Sequence, residues 1–486
     1  MNKVNRKNKI KNTLAPRTRM ILAYRIVVVS VLAGVLLFTG SIIYLNFGNS
    51  EKAFAATAVS WNGSVDNNWN NASNWSPAVI PGPGSLVTIG MSPRDPQLSD
   101  HVTVTDLILN NGAKLRLNDY SITLNGNYIM NNGSELQMSK STAVVLGNAT
   151  INGGVISASG GLNPLTQTPA TFIAKGTNTV IGSTGVSPMI QADLVVTSAT
   201  VTLRSTTFNG TVSIEKSGIT NDACFGGNVF NRTASFTNSG SGSFILSNNS
   251  RDIYNEDVVF NNSGSNLIHV AYSDASGTQF NGNVIVNSTS GTGVQFCMNT
   301  GRASVAAGKK LTSGSAGFNT GTLNLRKLTF NDTSSITIDA GPSGRVTLGP
   351  STSFAGDVTI NAGLVLLNGC TFNGKTNITK TGGTNDLGTG GNIFNGDAVI
   401  TNSGSGYLGM GNGSPDVFNG RAVFINNGTN NFHLAYSSAG NQFNGPVHIH
   451  NSGSGTTSNF LFNDGPLNTA TVLFNSDVTI NNNATA

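Results

Sequence analysis

Histidine is the side chain best suited to moving protons near neutral pH, and two of the five histidines here stand in matching settings. His269 opens His-Val-Ala-Tyr-Ser and His433 opens His-Leu-Ala-Tyr-Ser. A catalytic base needs an oriented partner and an acid or nucleophile close by. Only Tyr272 and Tyr436 recur with the pair, so stacking or side-chain hydrogen bonding explains the repetition better than catalysis. His448 and His450 alternate onto one strand face, a spacing that would let both touch one metal ion. One position short of the interval that separates His269 from His433, because the second copy is one residue shorter there, their counterparts are Ile285 and Asn287, which favours surface decoration. Thr220-Asn-Asp222 recurs as Thr384-Asn-Asp386, and Asp252 recurs as Asp416. Oxygen-rich corners can hold calcium, the one cofactor suggested here, but calcium takes about six to eight oxygens. One carboxylate per corner fits turn capping. Trp61, Trp69 and Trp75 are the only tryptophans and stand close together in the chain. They would serve either as an aromatic platform for sugars or as packing in a cap. No set of catalytic or metal-binding residues emerges.

The elements that must position these side chains follow from one recurring unit. Phe208-Asn-Gly210, with Val212 and Ile214, returns as Phe372-Asn-Gly374, with Thr376 and Ile378. Between and beyond them, Phe230, Tyr254, Phe280, Phe394, Phe418 and Phe443 each lead to side chains four and six positions on. From ring to ring, the spacings of the two copies agree to within a single position. Even offsets put all three side chains of a unit on one side of the chain. Asn and Gly tolerate φ > 0 and turn the corner between them. A second corner recurs as Asn238-Ser-Gly-Ser-Gly242, Asn402-Ser-Gly-Ser-Gly406 and Asn451-Ser-Gly-Ser-Gly455, followed by short apolar runs. Short strands and corners at this period describe one coil of a β-solenoid, whose apolar faces are buried only by stacking. The prediction is an all-β, right-handed parallel β-helix over 90–486, with coils of roughly 20–30 residues. The hand follows from the crossover preference. A duplicated block occupies 206–297 and 370–462, bridged by looser coils over 298–369, and a Pro-containing loop is expected at 160–169.

Charged residues make up only 10% of the chain, and Gly numbers 59, a composition for stacked strands with many turns. The net charge of +5 is concentrated at the amino end. Residues 1–25 hold eight Lys or Arg; without these, Glu51 and Lys52, the balance turns slightly acidic, a net of −3. That basicity reads as a targeting feature and excludes nucleic acid as the partner it would otherwise suggest. Residues 26–47 form an uncharged apolar run long enough for a membrane helix, and Ala53-Phe-Ala55 offers a cleavage site. Residues 1–55 are therefore expected to be a signal or anchor helix that exports the rest, and membrane contact is confined to 26–47. Cys224, Cys297 and Cys370 are odd in number and unmatched between the copies, as expected of small buried side chains.

Residues 56–89 are expected to form a Trp-rich amino-terminal cap. They carry Trp61-Asn-Gly63, Asp66, Trp69, Asn74-Trp75, Pro81, Gly82 and Val87-Thr-Ile89. In this pattern the chain resembles the large exported β-strand-repeat surface proteins of Bacteroidetes-type bacteria, and more loosely autotransporter passenger domains. The resemblance implies an adhesin-like β-helix at the cell surface, with no established catalytic residues to carry over. Such proteins usually end in a sorting or anchoring domain, whereas this sequence ends at Asn481-Asn-Asn-Ala-Thr-Ala486. Three functions are open at this point. The first is a surface protein that binds extracellular polysaccharide through a neutral lateral face. The second is a polysaccharide lyase or glycoside hydrolase, by analogy of fold alone. The third is end-to-end self-association into surface fibres. Carboxylates converging on one face would favour the enzyme.

Overall fold

The computed structural model describes residues 56–159, 169–290, 292–455, 457–462 and 471–485. The apolar helix expected over 26–47, the cleavage site and the loop at 160–168 lie outside the described residues. Among the described residues, no helix is long and apolar enough to cross a membrane.

These residues form an all-β solenoid of the right-handed type with about 16 turns. A coil makes three short strands and three corners, as in Val212–Lys216, Asp222–Ala223 and Val229–Phe230. Like strands of successive coils pair in parallel. The longest face runs as 17 strands from Val102–Val104 to Val478–Asn482, and its pairings form an open sheet. The aromatic face has 16 strands, from Lys114–Arg116 to Val472–Phe474. The third face comes in sections of 8, 7 and 4 strands.

The core is a stack of coil interiors. Phe208, Phe230, Tyr254 and Phe280 pile up with ring centroids 4.9, 4.8 and 5.2 Å apart. Val305 takes the next place, paired with Phe280 on one side and Phe330 on the other. The rings then resume through Phe330, Phe354, Phe372, Phe394, Phe418, Phe443 and Phe474 at 4.4–5.1 Å. The bridge over 298–369 therefore carries the same ladder. Phe330 escaped the motif because the side chain four positions on is Ser334, a polar residue that is nevertheless fully buried. The irregularity is confined to Lys310–Phe318, where the register against Val284–Ser288 shifts.

The Asn of the Phe-Asn-Gly corner builds a second ladder on the outside. Asn231 Nδ2 donates to Asn209 Oδ1 at 2.6 Å, Asn255 to Asn231 at 2.7 Å and Asn281 to Asn255 at 2.9 Å. In the second copy the same bonds join Asn373, Asn395, Asn419, Asn444 and Asn475, each at 2.7 Å. Each amide can donate to one neighbour while its oxygen accepts from the other, so one residue type serves every coil of a ladder.

The cap is built differently from a separate lid. Thr57–Trp61 pairs in parallel with Ser85–Ile89 as a further strand of the third face, and Trp75–Ser76 closes its free edge in antiparallel fashion.

Candidate functional site

Where the aromatic face turns into the longest face, the residue three positions after each ring faces outward. Register places Asp357, Lys375, Asp397 and Arg421 there, one per coil, because Val358, Thr376, Ala398 and Ala422 pair directly. All four are exposed. They lie along two adjoining open hollows of about 570 and 370 Å³, which share Asp357 and Thr359. Asp332, Ser335 and Thr337 line one end of this trough, and Asn377 and Val399 the other. Asp357 Oδ1 accepts the Lys375 backbone N–H at 2.9 Å, and Asp397 Oδ1 accepts that of Arg421 at 3.1 Å. Each carboxylate thus uses one oxygen to cap the next coil. Ion pairs among the described residues join Lys114 to Glu135, Arg116 to Asp95 and Arg232 to Glu256, so the four trough charges are not paired with one another. A smaller hollow of about 200 Å³ at the start of the first copy includes Asp193 and Thr211, which correspond to Asp357 and Lys375.

The other candidates fall elsewhere. Trp61, Trp69 and Trp75 are 6%, 0% and 2% exposed and pack edge to face at 4.9 and 4.7 Å. Trp61 Nε1 donates to Arg94 O at 2.7 Å and Trp75 Nε1 to Trp69 O at 2.8 Å. Sugar stacking needs a ring face open to solvent, and these rings have none, so of the two roles open to them their burial fits packing in a cap. Phe208, Phe230, Phe280, Phe372, Phe394, Phe418 and Phe443 are all buried. His269 stands edge-on to Tyr272 at 5.2 Å, with its buried Nδ1 lacking a hydrogen-bond partner. Burial lowers its pKa. His433 is buried against Tyr407 and Tyr436. His448 and His450 alternate outward on Val447–Asn451. No three His, Cys, Asp or Glu gather as metal ligands among the described residues. The three cysteines are buried and free.

The repeated aspartates point inward. Asp252 Oδ1 accepts the Asn228 N–H, and Asp416 Oδ1 the Asn392 N–H, from the preceding coil. Asp222 and Asp386 do the same for Val201 and Val365 at 2.7 Å. Two buried lysines accompany them. Lys216 and Lys380 hold equivalent places in the two copies, are 0% exposed, and donate from Nζ to Gly218 O and Gly382 O. They begin columns that continue as Asn238 and Asn262, and as Asn402, Asn426 and Asn451. The signal was present in the sequence: each Lys stands eight positions after its Phe, an even and therefore inward offset, in both copies.

Burial shapes the titration of these groups. It raises Asp386 to about 7 and Asp222, Asp252 and Asp416 to about 6, against the hydrogen bonds they accept. Burial also lowers Lys216 and Lys380, with Asp222 and Asp386 acting in the opposite direction. A carboxyl raised in the folded state stabilises fully below its ordinary value near 3.8, and that contribution is lost as pH rises through about 7. The lysines contribute the opposite sign. Unfolding at pH 5 and pH 8 should therefore show a stability loss toward pH 8 that Asp386→Asn reduces. An unchanged slope in the variant would remove Asp386 from this account.

Residues 60–172 match a domain of unknown function, DUF8693. No curated protein and no solved structure matches the chain. The matched stretch holds the tryptophan cap and the first coils and ends before the trough.

Proposed function

We propose that this chain is an exported, adhesin-like cell-surface protein that binds polysaccharide through its lateral face, with the trough at Asp357 as the place of contact. The observation that carries this reading is the trough itself: two open hollows merge over several coils and offer hydroxyl, amide, carboxylate and cationic groups in register. An extended polymer suits such a surface because the solenoid presents one set of groups per coil, and weak contacts add along its length. Export rests on the basic amino end and the apolar run at 26–47. The enzyme reading would draw on Asp357 and Asp397, two coils or about 10 Å apart, near the upper end of the separation used by inverting glycosidases. The capping bonds of both carboxylates favour binding.

The test is binding of the full chain to a panel of polysaccharides, with product release followed in the same wells. Binding without turnover is expected. Reducing-end or unsaturated products would replace the adhesin reading with an enzyme, and failure to bind any polymer would leave scaffolding or assembly as the better account.

A further inference from the structure

The geometry points to a zwitterionic polysaccharide, one bearing both amino and acidic substituents along its chain, as the ligand class of the trough; this rests on the polysaccharide reading above. Three observations carry it. The first is the order of charges along the solenoid axis: Asp357, Lys375, Asp397 and Arg421 alternate in sign, one per coil, at roughly 4.8 Å per step. That step is close to the length of one sugar residue in an extended chain. The second is that these charges remain available. Neighbours of opposite sign this near would ordinarily pair, yet all four are exposed and the two carboxylates turn one oxygen each to backbone N–H groups.

The third observation comes from the duplication. Asp193 matches Asp357, but Lys375, Asp397 and Arg421 stand where the first copy has Thr211, Thr233 and Asp257. The coil folds with threonine at two of these places, so the repeat itself does not require the alternation. A polymer with a single sign of charge meets repulsion at every second coil, whereas one carrying both signs can meet each group with its complement.

The experiment measures binding of the full chain to immobilised carboxymethyl chitosan, which carries amines and carboxylates, beside chitosan, alginate and dextran. The expected result is binding to carboxymethyl chitosan roughly tenfold tighter than to the other three, weakened by added salt. The exchange Lys375→Asp with Asp397→Lys keeps the net charge and breaks the alternation, and should abolish the preference. Lys375→Thr with Asp397→Thr installs residues the first copy already accommodates, and should abolish it too; thermal melts of both variants check that the fold persists. Dextran bound as tightly as carboxymethyl chitosan, or a preference that survives both variants, would overturn the charge inference and leave polysaccharide binding standing. Binding to none of the four polymers, nor to any in the wider panel, would overturn both.

Discussion

Phe372→Ala is expected to lower the unfolding free energy by about 3–5 kcal/mol, the range for removing a buried Phe from a packed core. The ring is fully buried between Phe354, 5.1 Å away, and Phe394, 4.6 Å away, and is nearly parallel to both. Collapse around the missing ring is opposed by the pairing of Thr371–Phe372 with Ser353–Phe354 and Ile393–Phe394, which fixes the spacing of adjacent coils. The cavity term therefore adds to the lost transfer energy. His448→Ala, on the outward side of Val447–Asn451, should change stability by less than about 0.5 kcal/mol. Urea unfolding of both variants checks this, and equal effects would overturn the inward assignment of the aromatic row.

Gly404→Ala is expected to cost about 1–3 kcal/mol through overpacking, although it adds a single methyl group. Gly404 belongs to a column with Gly382 and Gly428 at the corner after the longest face. A Cβ on Gly404 would sit 2.1 Å from Gly382 O, and one on Gly428 would sit 2.2 Å from Gly404 O. The obstacle is backbone, which no rotamer change can move aside. Gly82 is the matched control, since a Cβ there meets nothing within 4 Å. Gly82→Ala should be neutral or slightly stabilising because it reduces the freedom of the unfolded chain. Thermal melts decide the matter: a Gly404→Ala transition as high as that of Gly82→Ala would show that the coils are not packed this closely.

Much of the fold was legible because facing is a local property of a strand. The offsets of four and six after Phe208 and Phe372 assigned the inward side chains without any knowledge of their neighbours. The Asn and Gly that followed placed the corners. The same even offset places Lys216 and Lys380 inward, but a charged side chain carries none of the hydrophobicity that otherwise marks a buried position. Ser334 concealed Phe330 for the same reason.

The trough was legible only in part. Asp357, Lys375, Asp397 and Arg421 each stand three positions after a Phe of the row, an odd offset that faces outward, but the hollows they line depend on how the exposed segments of neighbouring coils lie against one another. The tryptophans show the same division: their clustering was plain, but their burial depended on Thr57–Trp61 joining the third face and Trp75–Ser76 closing over it. By itself, then, the sequence determined the strand-and-corner repeat, the inward aromatic row and the duplication, because each is written in short-range periodicity and in the constant interval between the two copies. Only the tertiary structure decided the hollows of the trough, the hydrogen bonds from the preceding coil to the buried aspartates and the closed cap, because each requires groups from different coils to be brought together by backbone pairing.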